Sequence, residues 1–122
     1  MEDGRKDDNG KLQWSLLPAD AIEEILKVLM FGAQKYEAHN WAKGMDWDRP
    51  YNALMRHMWA WWRGEDRDPE SGLSHLAHAG CCILFLIAYQ NRRTGNDTRY
   101  NIPKAATYAT QTETHRTDSP VT

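Results

Sequence analysis

The chain has 122 residues, a formal net charge of −2, 41% hydrophobic residues and six tryptophans. That length holds one domain with a single core. Without a Lys/Arg stripe, neither stable nucleic-acid binding nor attachment to an anionic membrane is expected.

Residues 1–17 are polar at first and then become Leu12-Gln-Trp-Ser-Leu-Leu17, which reads as an extended arm. Nothing in Met1–Asp8 resembles a hydrophobic signal core. Pro18 suits the first position of a helix. From Ala19 the apolar positions Ile22, Ile25, Leu26, Leu29 and Ala33 follow the 3.6-residue period, which predicts a first helix ending near Lys35 or Tyr36. Residues 37–48 form a loop with two tryptophans. Asp48 is a candidate cap, and Pro50 opens a second helix that runs to Arg63 and stops at Gly64.

The segment that follows is the most informative. Glu65, Asp66, Asp68 and Glu70 crowd four carboxylates into six positions, ahead of a third helix expected from Glu70 or Ser71 to Asn91. That helix carries His75 and His78, and no formally charged residue lies between Ser71 and Asn91. Carboxylates repel one another, and each polar group in an apolar helix needs a partner. A bound divalent cation offsets both costs. Cys81 and Cys82, adjacent on this helix, point about 100° apart and cannot readily bridge; they read as core residues of a reducing compartment. The apolar run Ala79–Ala88 is far shorter than the ~20 residues of a membrane span. A soluble, cytoplasmic chain is expected. Residues 94–122 hold eight threonines and few large aliphatics, so the domain is expected to occupy 1–93 and an extended or disordered tail 94–122. The fold class is all-α.

Short connections make consecutive helices antiparallel. In such a bundle the start of the first helix, the end of the second, the acidic loop and the start of the third share one end. Glu24 and His75 then fall at nearly the same height, with Lys27 and His78 one turn further in. His57 could meet His78 across the interface. The candidate metal ligands are accordingly Glu24, Glu65, Asp68, His75 and His78. Mixed carboxylate and imidazole ligation suits Mn²⁺ or Zn²⁺, whereas oxygen-only ligation suits Mg²⁺. Lys6, Lys11, Lys27, Lys35 and Lys43 offer charge for a phosphate chain. Trp14, Tyr36 and Trp41 could stack a base, and Asn40 could read its edge. Trp59, Trp61 and Trp62 point in different directions on one helix, so at least one should face a partner subunit.

Gly10-Lys-Leu-Gln-Trp-Ser-Leu-Leu-Pro18, Glu23-Glu24, Phe31-Gly-Ala-Gln-Lys-Tyr36, Asn40-Trp41 and Lys43-Gly44 resemble a phage and bacterial family of dATP/dGTP diphosphohydrolases. Arg56-His57, Gly64-Glu65-Asp66, Asp68, Glu70-Ser71-Gly72 and His75-Leu-Ala-His78-Ala continue the resemblance. It implies a MazG-like helical bundle, a Mg²⁺ or Mn²⁺ site, and cleavage of purine dNTPs to dNMP and pyrophosphate. In phages that replace adenine with 2-aminoadenine, such an enzyme would supply dGMP and remove dATP in the host cytoplasm. It further implies a homodimer or homotetramer. The chain departs from the wider MazG-like pattern: the second helix has no Glu-x-x-Glu, and His75-x-x-His78 stands where Glu-x-x-Asp is usual. Glu65-x-x-Asp68 has the right spelling but lies in a loop interrupted by Pro69. The expected mechanism is metal-assisted attack of water at the α-phosphorus. Glu24 or Glu65 would take the proton, and Lys11 or Lys27 would steady the leaving pyrophosphate. Two rivals are a zinc or iron phosphohydrolase built on His57, His75 and His78, and a helical adaptor with no enzymatic role.

Overall fold

A computed structural model describes residues 4–100. It contains α1 (Ala19–Lys35), α2 (Asp48–Trp62) and α3 (His75–Arg92), with short 3-10 turns at Trp14–Leu16 and Asn40–Lys43. The all-α expectation is borne out: among the described residues there is no strand, and the only bridges are the isolated pairs Asp46–Asn96 and Arg67–Ser74. No helix among them is long and apolar enough to cross a membrane.

The core forms where α1 crosses α3. Val28 meets Ala77 and Cys81, with Ile25, Leu29, Leu73 and Phe85 around them. The run Ala77-His-Ala-Gly-Cys81 permits this close approach, because a Cβ on Gly80 would lie 2.8 Å from the Ile25 Cδ1. Cys81 and Cys82 are free thiols, Cys81 buried and Cys82 half-buried. α3 begins later than its sequence suggests. Ser74, not Ser71 or Glu70, is the cap, its Oγ accepting from the N–H groups of Leu76 and Ala77. Pro69 and Gly72 (φ 73°) fold the preceding residues into a turn instead.

The direction of α1 corrects the up-down-up expectation. Its last turn, not its first, reaches the start of α3: Lys35 Nζ lies 2.7 Å from Glu70, and the Phe31 ring is edge-on to His78. α2 ends there too, since Glu65 N–H donates to Ala60 O and His57 contacts His75. α1 and α2 therefore both terminate at the start of α3. The physical reason is the 36–47 connection, which runs back along α3. His39 (φ 62°) turns the chain, Trp41 stacks on Phe85 at 5.2 Å, and the Tyr89 hydroxyl donates to Trp41 O at 2.8 Å. Tyr89 is fully buried.

At the opposite end, residues 94–99 form a strap over the start of α2. Trp47 N–H donates to Asn96 O, Asn96 N–H to Met45 O, and the Trp47 indole to Thr94 O. Asp97, 2% exposed, accepts a fork from Arg99, whose guanidinium also covers Trp47. The domain's contacts thus continue past residue 93. The part of the expected tail beyond Tyr100 lies outside the described residues.

Candidate functional site

The site sits where the three helices converge. α2 contributes His57, the loop contributes Glu65, Asp68 and Ser71, and the first turn of α3 contributes His75 and His78. The loop is pinned by its own backbone. His75 N–H donates to Asp66 O, Asp68 N–H to Leu73 O, and Gly72 N–H to Asp68 O at 2.7 Å. Gly64, with φ 103°, supplies the reversal out of α2.

Three imidazoles meet inside this frame. His57 Nδ1 and His75 Nδ1 are 2.8 Å apart, and His75 Nε2 contacts Glu65 Oε1 at 2.7 Å. His57 stacks on His78 with ring centroids 4.5 Å apart. The His78 Nε2 is 2.7 Å from Ser71 Oγ, which accepts the Leu73 N–H. Asp68 Oδ2 accepts the Ser71 N–H. His57, Asp68 and His75 each offer a ligand atom within 4.8 Å of the others. His75 is 3% exposed, whereas the Glu65 side chain is half exposed.

The electrostatics suit cation binding. Burial, reinforced by His78 and His75, pushes the His57 pKa down to about 4. Burial likewise lowers that of His78. Both rings are therefore neutral near pH 7, the form that donates a lone pair. Burial opposes ionisation of Asp68, but the Ser71 N–H and the nearby His78 and His57 outweigh it, and the net shift is downward. A neutral His57 and an ionised Asp68, with the His75 imidazole beside them, are a donor set that fits a divalent cation.

Of the expected ligands, Glu65, Asp68, His75 and His78 are brought together, and Glu24 is not. Glu24 pairs with Lys27 at 3.2 Å. It precedes Phe31 by seven residues, so it lies ~10 Å along α1 from the ring that touches His78. Lys27 is spent on that exposed pair, and Lys11 lies on the exposed arm. Lys35 does reach the site's rim through Glu70, which holds its pKa up. Trp41 is packed on Phe85 and covered by Arg92, so its ring serves the fold. Asn40 opens the same 3-10 turn as Trp41. Two contributors carry weak signals in the sequence. His57 enters the cluster beside His75, whereas the sequence suggests it only as a neighbour of His78 and as a ligand of the histidine-based alternative. Ser71, read as a helix start, gave its signal only in lying seven residues before His78.

A family model described as dATP/dGTP diphosphohydrolase, N-terminal, matches residues 1–99. The chain belongs to this family. The match contains every residue of the histidine cluster and extends through the 94–99 strap. A dATP/dGTP diphosphohydrolase of Salmonella phage PMBT28 is 37% identical over 99 residues, covering 80% of this chain and 34% of that protein. The chain thus spans about a third of the length of the family relative it matches. No solved structure matches it at a significant level.

Proposed function

We propose that this domain hydrolyses dGTP and dATP to the monophosphate and pyrophosphate in the presence of a divalent cation. The observation that carries the reading is the convergence of His57, Asp68 and His75 within 4.8 Å. Its substrate class follows from family membership and from the activity named for the phage relative. Those three residues would hold the cation, Mg²⁺ or Mn²⁺, with the two imidazoles favouring Mn²⁺. When bound, the cation supplies positive charge for the triphosphate and acidifies water. The chain's own residues do the rest. Ser71 and His78 wall the cluster on one side, and Phe31 packs against the His78 edge. Lys35 stands at the rim as a cation for the phosphate chain, held by Glu70. Tyr36 beside it is 64% exposed and offers an aromatic face at the same end. In a phage that replaces adenine with 2-aminoadenine, the reaction would supply dGMP and deplete dATP in the host cytoplasm. The exposed apolar stripe Tyr51, Met55, Trp59 and Trp62 on α2 supports a homodimer or homotetramer.

The test is incubation with each dNTP, with Mn²⁺, Mg²⁺ or EDTA, and chromatographic separation of products. Purine dNMP and pyrophosphate, formed only with metal, are expected. A second reading, a histidine-based metal phosphohydrolase, is favoured by the imidazole content of the cluster. It would release orthophosphate or triphosphate in the same assay, and those products would overturn the pyrophosphohydrolase reading.

A further inference from the structure

We propose that Lys35 takes the distal phosphates of the substrate, and that Glu70 is the positioning residue that holds the ammonium ready. Together they make the site select a triphosphate over a monophosphate. The identity of the nucleotide rests on the function proposed for this domain; the phosphate selection is a property of these two residues. Lys35 Nζ lies 2.7 Å from Glu70 Oε2, with the Tyr36 ring centroid at 5.4 Å and the Phe31 centroid at 6.0 Å.

Those contacts place the ammonium beside the histidine cluster and not in it. Phe31 meets the His78 ring edge-on at 6.4 Å. Lys35 follows Phe31 by one turn, ~6 Å further along α1. On the loop side, Glu70 precedes Ser71, whose Oγ is 2.7 Å from His78 Nε2. A lone phosphate held at the cluster does not extend to this rim. A triphosphate, two bridging oxygens longer, carries its β and γ groups toward it. Arg67, also on the loop, donates instead to Gly72 O at 3.3 Å.

The pair does little for the fold. The Lys35 and Glu70 side chains are 40% and 63% exposed, and an exposed ion pair adds little to stability. Lys35 already suits the last turn of α1 through the helix dipole, which needs no Glu70. For a ligand the pair matters more. An ammonium carries three N–H donors, so the contact with Glu70 leaves donors for phosphate oxygens. A lysine held by a carboxylate and flanked by two rings has lost rotamer freedom before the ligand arrives, so less is lost on binding. The charge of Glu70 works against this gain by repelling phosphate. Two substitutions separate the effects: Glu70→Gln drops the charge and keeps an acceptor oxygen, whereas Glu70→Ala drops both.

The experiment is isothermal titration calorimetry on the full chain with Mn²⁺. The probes are α,β-methylene-dGTP, whose α–β link resists hydrolysis, dGMP and inorganic tripolyphosphate. Lys35→Met should weaken binding of the analogue and of tripolyphosphate by roughly 10- to 100-fold and leave dGMP unchanged. Glu70→Ala should bind the analogue roughly 2- to 10-fold more weakly than Glu70→Gln, a rescue that a merely structural ion pair does not give. Unchanged analogue affinity in Lys35→Met would overturn the phosphate assignment, as would an equal loss for dGMP. Equal affinities in the two Glu70 variants would overturn the positioning role. A wild-type chain that binds tripolyphosphate through Lys35 yet hydrolyses no dNTP would sustain the assignment and overturn the reaction. One that hydrolyses dGTP while Lys35→Met binds the analogue normally would do the reverse.

Discussion

Replacing Gly95 with alanine should be among the most damaging single-methyl additions in this domain. Gly95 has φ 81°, and a Cβ built there would lie 2.3 Å from Met45 O and 3.0 Å from Met45 N. Both neighbours are backbone atoms, so neither can swing aside as a side chain would. The left-handed conformation alone costs an L-residue ~1–2 kcal/mol. Overpacking adds about 1–3 kcal/mol. The sum, about 2–5 kcal/mol, is relieved only by lifting the strap off Trp47, which forfeits the Trp47–Asn96 and Asn96–Met45 hydrogen bonds. In a domain of this size each kcal/mol lowers Tm by about 4–8 °C, so a fall of about 8–40 °C is expected. Gly64→Ala is the control: φ is 103° but a Cβ would meet nothing within 4 Å, so only the conformational cost applies. Gly44→Ala attacks the same contact from the other side, its Cβ falling 2.9 Å from Gly95 N. Once the strap has lifted, the second substitution finds little left to break, so the double variant should be less than additive. Thermal melts followed by circular dichroism, with trypsin cleavage around Arg93 and Arg99, read the effect. Equal losses in Gly95→Ala and Gly64→Ala, or strictly additive Gly44 and Gly95 losses, would refute the close-packed strap.

Asp68→Asn should cut metal-dependent turnover by about 100-fold or more while the Ser71 N–H keeps its acceptor and the fold survives. Glu24→Gln should leave turnover near normal and cost no more than ~0.5 kcal/mol, because only an exposed i,i+3 pair with Lys27 is lost; an inactive variant would return Glu24 to the site. Burial pushes the Cys81 thiol up to about 12 and raises that of Cys82. Native protein at pH 8 should therefore resist iodoacetamide, with the rate still rising about tenfold per pH unit to pH 10, where an ordinary thiol has already levelled off. Rapid labelling at pH 8 without unfolding would contradict the burial. Trp59 and Trp62 are 55% and 74% exposed, so Trp62→Glu should shift sedimentation at micromolar concentration toward a single-chain species if the α2 stripe is a subunit contact.

The phase of each helix was legible because it is a local property. Ile25 and Leu29 face the core as the 3.6-residue period requires, joined by Val28. The direction of α1 was not legible, because it depends on where the 36–47 connection goes. That path is set by Trp41 on Phe85 and Tyr89, partners more than forty residues away with no periodic signature. A similar limit governs the start of α3. Ser71 and Ser74 are both capable caps, and Asp68 decides between them by accepting the Ser71 N–H into the turn. In the site, the density of Glu65 and Asp68 and the spacing of His75 and His78 were visible in the sequence. The Nδ1-to-Nδ1 contact of His57 with His75 requires a register between α2 and α3 that spacing alone does not specify.

The reversed α1 changes more than the position of Glu24. Had α1 begun at the start of α3, its N-terminus would have brought partial positive charge to the acidic loop. Instead the C-termini of α1 and α2 both end there, each carrying partial negative charge, against a single N-terminus from α3. Glu65, Asp66, Asp68 and Glu70 lie in the loop between α2 and α3. Lys35 in the last turn of α1 answers part of this charge through Glu70. Arg63 and Arg67 flank the same carboxylates, and Arg67 donates to Gly72 O. In the proposed cation site the histidines would add donors that carry no negative charge and so would hold an ion without adding to the repulsion among the carboxylates.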